Sequence, residues 1–186
     1  VPHAETDLRR VTGAYPLDMD ADGHTDLAVL RVGETLMLRG LGDCRFERAN
    51  EAWGLRLPSS AWTTAFSAAW EADQSLPTLA LGNYLELDPS GEPANTCATG
   101  ALYRPAAAGL GYGAPITLEP GYCTLSMLFS DWDGSGRRDL RVTNDRHYYT
   151  AGSDQLWRIA AGEAPSAYTA ADGWVRMVIW GIAKLR

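Results

Sequence analysis

"DMDADGHTDLAVLRV", Asp18 to Val32, sets four aspartates at positions 1, 3, 5 and 9, a glycine at position 6 and an apolar run behind them. Like charges this close repel unless something neutralises them. Hard cations are the common answer, because Ca²⁺ takes roughly six to eight oxygen ligands and carboxylates on a tight loop supply them. A solvated acidic turn is the competing reading, since Asp and Gly favour turns in any protein.

A second copy favours the cation. "DWDGSGRRDLRVTND" places Asp131, Asp133, Ser135 and Asp139 at the same four positions, Gly136 at the sixth, and Leu140 where the first copy has Leu27. Both loops read D-x-D-x-[DS]-G-x-x-D-L, and the glycine permits the sharp turn that lets alternate side chains converge. An EF-hand opens the same way but needs a bidentate Glu at its twelfth position and a helix behind it. Here that position holds Val29 and Val142, and the tails "LAVLRV" and "LRVTN" read as strands. The expectation is two calcium ions, one per loop. The first set of ligands is Asp18, Asp20, Asp22 and Asp26 with the His24 carbonyl. The second is Asp131, Asp133, Ser135 and Asp139 with the Arg137 carbonyl.

The chain has 186 residues, enough for one domain or a piece of a larger protein. Its net charge is −7, and the seven aspartates of the two loops account for it. No basic surface suited to a nucleic-acid backbone is left, so nucleic acid is excluded as a partner. No apolar run approaches the roughly 18 residues of a membrane span. Cysteines number three. Cys97 and Cys123 bracket a Gly- and Pro-rich insertion, and Cys44 is left over. A disulfide between the bracketing pair and calcium at extracellular levels point together to a secreted or extracytoplasmic protein. Three reduced thiols in a cytoplasmic protein is the alternative.

Short runs rich in Val, Leu, Thr and aromatics recur along the chain, among them "TLMLRG", "TLALGNYL", "TLSMLFSD" and "DQLWRIA". Gly, Pro, Asn and Asp separate them, and helical periodicity is scarce, so the fold class is all-β. "SSAWTTAFSAAWEA" is assigned to strand because Trp, Thr and Phe favour a pleated surface. The runs group into units over approximately 10–58, 60–120 and 122–170, followed by a terminal strand over 174–183. The middle unit reads as degenerate: "TLALGNYLELDPSG" keeps Asn83, Glu86 and Asp88 as remnants of an acidic loop. Four-stranded units of about 40 to 50 residues read as propeller blades, so the architecture expected is a partial β-propeller of about three blades and part of another. Trp53, Trp62, Trp70, Trp132, Trp157, Trp174 and Trp180 are assigned to blade cores rather than to a ligand platform.

The loop pattern between strands resembles the FG-GAP repeat, also described as VCBS repeat, of integrin α-chain propellers. "GDCRFERANEAWGL" and "GWVRMVIWGIA" are similar to flanking segments of bacterial secreted proteins that resemble cartilage acidic protein. The resemblance spans nearly the whole chain and implies a calcium-stabilised propeller that is secreted, serves adhesion or protein binding, and has no established catalytic residues. Such propellers usually close with about seven blades. The reading therefore expects a fragment, with Lys184 to Arg186 as a cloning scar. It also expects a homodimer closing a composite ring, with Trp174, Met177, Ile179 and Trp180 buried between the copies.

The search for catalysis is thin. His147 and Asp145 in "NDRHYYT" are the candidates, weighed against an ordinary turn, and no nucleophile elbow, H-E-x-x-H motif or Walker loop is present. A calcium-dependent hydrolase acting on phosphotriesters, phosphoesters or lactones is the alternative function, with the ion as Lewis acid.

Overall fold

A computed structural model describes residues 8–71, 74–106, 111–145 and 152–174. Those residues form an all-β fold of three antiparallel sheets, none of them closed. The first sheet is a meander of β1 (Val11–Leu17), β2 (Asp26–Arg31), β3 (Leu36–Gly40) and β4 (Phe46–Arg48). The second runs β5 (Ala61–Ala69), β6 (Thr78–Leu87), β8 (Gly100–Tyr103), β9 (Ile116–Leu118), with β7 (Pro93–Cys97) pairing the far end of β6. The third repeats the simple meander with β10 (Thr124–Ser130), β11 (Asp139–Asn144), β12 (Gln155–Arg158) and β13 (Ser166–Ala167). The stretch "AWTTAFSAA" is β5, as its β-branched and aromatic content predicts.

Successive strand residues point to opposite faces, and two cores follow from that alternation. Ala28, Leu30 and Met37 of the first sheet meet Phe66, Leu79, Leu81 and Tyr103 of the second. Ala80, Leu102 and Leu118, from the second sheet's other face, meet Met127, Leu140, Val142 and Trp157 of the third. The central strand β6 thus gives alternate residues to two cores. Fully burying one such Leu or Met stabilises by about 1.5 to 3 kcal/mol. Inner strands also touch directly: Thr12 Oγ1 donates to Thr63 O at 2.5 Å, Thr64 Oγ1 to Thr124 O at 2.6 Å, and Phe129 N to Ser67 Oγ at 3.1 Å.

The repeat is more regular than its sequence. Eight residues separate β1 from β2, β5 from β6 and β10 from β11. The registers closing these loops match as well: Leu17 pairs with Asp26, Ala69 with Thr78 and Ser130 with Asp139. Residues 70–77 therefore stand in the middle sheet where the acidic loops stand in the other two. This corrects the placement of the degenerate loop at Asn83, Glu86 and Asp88. Asn83 lies within β6, where its amide accepts from Thr63 Oγ1 at 2.8 Å and donates to Thr99 O at 2.8 Å. Asn144 does the same work in the third sheet with Thr124 and Ser153. Asp88 instead caps a turn, accepting from the backbone of Ser90 and Glu92.

A second repeated piece follows the outer strands of the first and third sheets. Gly54 and Gly173 both take a left-handed conformation (φ 69° and 78°), and the next residue's N–H returns to the carbonyl five back, Leu55 to Asn50 and Trp174 to Thr169. A disulfide joins Cys97 on β7 to Cys123 just before β10, and Cys44 is an exposed free thiol in the β3–β4 hairpin. Of the expected terminal strand, only Trp174 falls within the described residues. Its ring lies 5.5 Å from the Arg141 guanidinium.

Candidate metal-binding loops

Each acidic loop is wound by the same three hydrogen bonds. Position 1 accepts from the N–H of position 6: Gly23 to Asp18 at 3.1 Å, and Gly136 to Asp131 at 2.9 Å. Position 3 accepts from position 5: Asp22 to Asp20 at 3.3 Å, and Ser135 to Asp133 at 3.1 Å. Position 5 accepts from position 7: His24 to Asp22 at 2.8 Å, and Arg137 to Ser135 at 3.4 Å. These bonds wrap the backbone around the side chains. Gly23 and Gly136, at φ 85° and 83°, supply the left-handed turn.

In the first loop, Asp18, Asp20 and Asp22 bring carboxylate oxygens within 4.8 Å of one another, the only such group among the described residues. Asp18 Oδ1 is buried without a hydrogen-bond partner. Arg39, on β3, answers part of this charge, with Nε 2.8 Å from Asp20 Oδ2 and Nη2 2.8 Å from Asp22 Oδ2. The His24 backbone bond, followed by Arg39, holds the Asp22 carboxyl below its ordinary value. His24 Nδ1 also sits 3.3 Å from Asp22 Oδ1.

The ninth-position aspartates do something different. Asp26 is fully buried and stands outside the cluster. It accepts from Met19 N at 2.6 Å and from Gly40 N at 2.8 Å, tying the loop's entrance to the end of β3. Burial pushes its carboxyl up, the two backbone donors work against that, and the charges of Asp20 and Asp22 add to the rise. Asp139 makes the equivalent bridge, accepting from Ile159 N just past β12 at 3.1 Å. It also accepts from Trp132 Nε1 at 3.0 Å, Tyr168 Oη at 2.7 Å and Arg137 Nε at 3.0 Å. Burial again pushes upward, but Arg137, Tyr168, Ile159 and Trp132 outweigh it and hold this carboxyl below the ordinary range. Asp131, Asp133 and Ser135 remain exposed at the rim, and Arg137 Nη2 reaches within 3.9 Å of Asp133.

The donors present fit calcium in chemistry. They are hard carboxylate and hydroxyl oxygens on a tight loop, and in the first loop one buried oxygen still lacks a partner. Asp18, Asp20 and Asp22 would hold one ion, and Asp131, Asp133 and Ser135 would hold another.

Sequence reasoning missed an arginine that recurs at the end of each third strand. The registers Leu27–Leu38, Leu79–Tyr103 and Leu140–Trp157 place Arg39, Arg104 and Arg158 in equivalent positions, one residue further on. "LRG", "YRP" and "WRI" carried that signal. Arg104 pairs with Glu71 at 2.7 Å and also donates to Ala160 O at 2.9 Å, while Arg158 lies 4.8 Å from the Tyr168 ring. The next position is Gly40, Pro105 or Ile159. The middle sheet therefore has Thr78 for the bridging aspartate and a proline for the N–H it would bind.

Of the weak catalytic candidates, His147 lies outside the described residues. Asp145 follows the far end of β11, about 20 Å along the strand from the acidic loop. Its N–H donates to Cys123 O at 2.8 Å, and its carboxylate accepts from Tyr84 Oη at 2.9 Å. Trp53 and Trp157 are core residues, each 6% exposed, whereas Trp70 is 45% exposed. That exposure overturns the assignment of Trp70 to a core, and the cause is its position as the first residue of the middle loop. No helix among the described residues is long and apolar enough to cross a membrane. No protein-family model matches the chain, and no curated protein matches it.

Proposed function

We propose that this chain is a calcium-binding portion of a secreted β-propeller with a structural or protein-binding role. The observation that carries the reading is the first loop: three carboxylates gathered within 4.8 Å, wound by a hydrogen-bond pattern that a second loop repeats, and one buried oxygen without a donor. Successive meander sheets in contact through β1, β5 and β10 support the propeller arrangement. The Cys97–Cys123 disulfide suits an oxidising compartment. Bound calcium supplies positive charge among the carboxylates. The chain's own part is to hold them converged through Gly23 and to anchor the loop through Asp26. A homodimer closing a larger ring belongs to the same proposal. Leu125 and Leu128 on β10, 43% and 58% exposed, are apolar surface for a second copy to cover.

Calorimetric titration of chelator-stripped protein with calcium tests this reading. Two binding events are expected, one lost in Asp18→Asn and the other in Asp131→Asn, together with a lower melting temperature in excess chelator. Absence of binding heat with an unchanged melting curve would overturn it.

One observation favours the alternative of a calcium-dependent hydrolase. A cleft of about 340 Å³ adjoins the first loop, bordered by Asp20, Asp22, Arg39, Trp53 and Leu76. Hydrolysis of phosphotriester or lactone probes that requires calcium and is lost in Asp20→Asn would favour this second reading.

A further inference from the structure

Each of the three converged aspartates of the first loop has one oxygen committed to the loop's own backbone. Asp18 Oδ2 accepts from Gly23 N, Asp20 Oδ1 from Asp22 N and Asp22 Oδ1 from His24 N. The oxygens left to face a cation are Asp18 Oδ1, Asp20 Oδ2 and Asp22 Oδ2.

Arg39 holds two of those three. Its Nη2 donates to Asp22 Oδ2 at 2.8 Å, and its Nε lies 2.8 Å from Asp20 Oδ2 as an ion pair off the line of the N–H. A guanidinium is a permanent cation whose planar fork of donors matches carboxylate oxygens. Arg39 therefore supplies the positive charge that calcium would otherwise bring. An ion bonded to both Oδ2 atoms while the guanidinium still held them would set two cations side by side, where like charges repel.

The arginine has a second partner within reach. Arg39 on β3 pairs in register with Glu47 on β4, and side chains directly opposite in an antiparallel pair stand about 4.5 to 5.5 Å apart at Cβ. Glu47 borders the same cleft as Asp20, Asp22 and Arg39. It is exposed and makes no ion pair among the described residues. Asp22 and Asp20 dominate the field that raises the Arg39 guanidinium above its ordinary value, and Glu47 already adds to it.

The third loop is arranged differently. Arg158, the counterpart of Arg39, lies against the Tyr168 ring and 3.9 Å from Asp172. Arg137 is committed to Asp139 and comes no closer than 3.9 Å to Asp133. Among the described residues, no arginine bridges positions 3 and 5 of that loop.

We propose that Arg39 is a latch on the first metal loop, holding Asp20 and Asp22 until calcium displaces it onto Glu47. The inference rests on the calcium reading and adds how that site is regulated. Filling the loop breaks one set of ionic contacts and makes another, so the first loop takes its ion more weakly than three converged aspartates alone would. The third loop, without a latch, serves as the internal comparison.

The test is calorimetric titration of the chelator-stripped full chain with calcium chloride, in about 0.15 M salt to screen charges that are not in contact. Parent, Arg39→Gln, Glu47→Gln and the double variant are compared; both side chains are at the surface, so all four should fold. Arg39→Gln should tighten the binding event that Asp18→Asn removes by about tenfold, the effect of one unit charge beside a divalent ion near a protein surface. The event that Asp131→Asn removes should stay as it is. Glu47→Gln should weaken the first event about threefold while Arg39 is present, the size of an exposed ion pair, and should change nothing in the Arg39→Gln background. Equal first-loop affinity in parent and Arg39→Gln would overturn the latch, as would a Glu47→Gln effect of the same size in both backgrounds. Either result leaves the calcium reading standing, whereas lack of calcium binding by all four proteins would overturn both together.

Discussion

Replacing Asp26 separates two roles that a carboxylate at the ninth loop position can have. If it served only as a metal ligand, then in excess chelator Asp26→Asn should melt with the unaltered protein. The structure argues otherwise, because the fully buried carboxylate accepts from both Met19 N and Gly40 N. An Asn keeps one acceptor but turns its NH₂ toward the other donor, leaving a buried N–H unpaired. That costs about 2 kcal/mol, within the range for one unsatisfied buried group. Asp26→Ala orphans both donors, and the same rule gives about 4 kcal/mol. For a chain of this length 1 kcal/mol corresponds to about 2 to 4 °C, so the expected drops are about 6 °C and about 12 °C. Thermal melts followed by circular dichroism in chelator measure both. Coincident melts for Asn and the parent protein would refute the bridging role.

Two further outcomes follow from packing. Reducing the Cys97–Cys123 bond opens a loop with a sequence separation of 26, which chain-entropy arguments value at about 3.5 kcal/mol. Urea midpoints with and without reductant measure it, and thiol labelling of the oxidised protein should find Cys44 alone. Tyr103, 1% exposed, has its phenol pushed up by burial to about 12. Because the folded value lies above the unfolded one, its contribution to stability is intact below pH 10 and is lost as pH rises toward about 12. Absorbance at alkaline pH should therefore show Tyr103 ionising late or together with unfolding, and ionisation near pH 10 in the folded protein would contradict its burial.

The acidic loops were legible because their geometry restricts residue type at alternate positions, and the backbone turn demands glycine at the sixth. What those residues do was less legible. A buried acceptor of two backbone N–H groups and a metal ligand both call for a carboxylate, so Asp26 and Asp139 read alike under either role. The middle loop was hidden because Trp70, Ala72, Gln74 and Thr78 stand at the positions where the other loops carry aspartate or serine. Polar Asn83, Glu86 and Asp88 drew the assignment instead, although the surviving signal was Leu79 after Thr78, matching Leu27 and Leu140. Glu71 could not be singled out from sequence, since its burial depends on Arg104, which lies 33 positions away. The all-β class was readable from the density of β-branched and aromatic runs. The side-by-side contact of β1, β5 and β10 rests on threonine-to-carbonyl bonds that no local pattern announces.

Pro105 has a consequence for how such repeats diverge. An aspartate reintroduced at Thr78 would find Arg104 opposite but no N–H at the following residue, because proline has none to give. It would be a buried carboxylate with half its anchor missing, so placing the aspartate there carries a penalty unless Pro105 is replaced too. Trp70, in turn, occupies the place of the first aspartate, and an indole has no oxygen to offer a cation. Giving the middle sheet an acidic loop would therefore take coordinated substitutions at Trp70, Thr78 and Pro105 at the least.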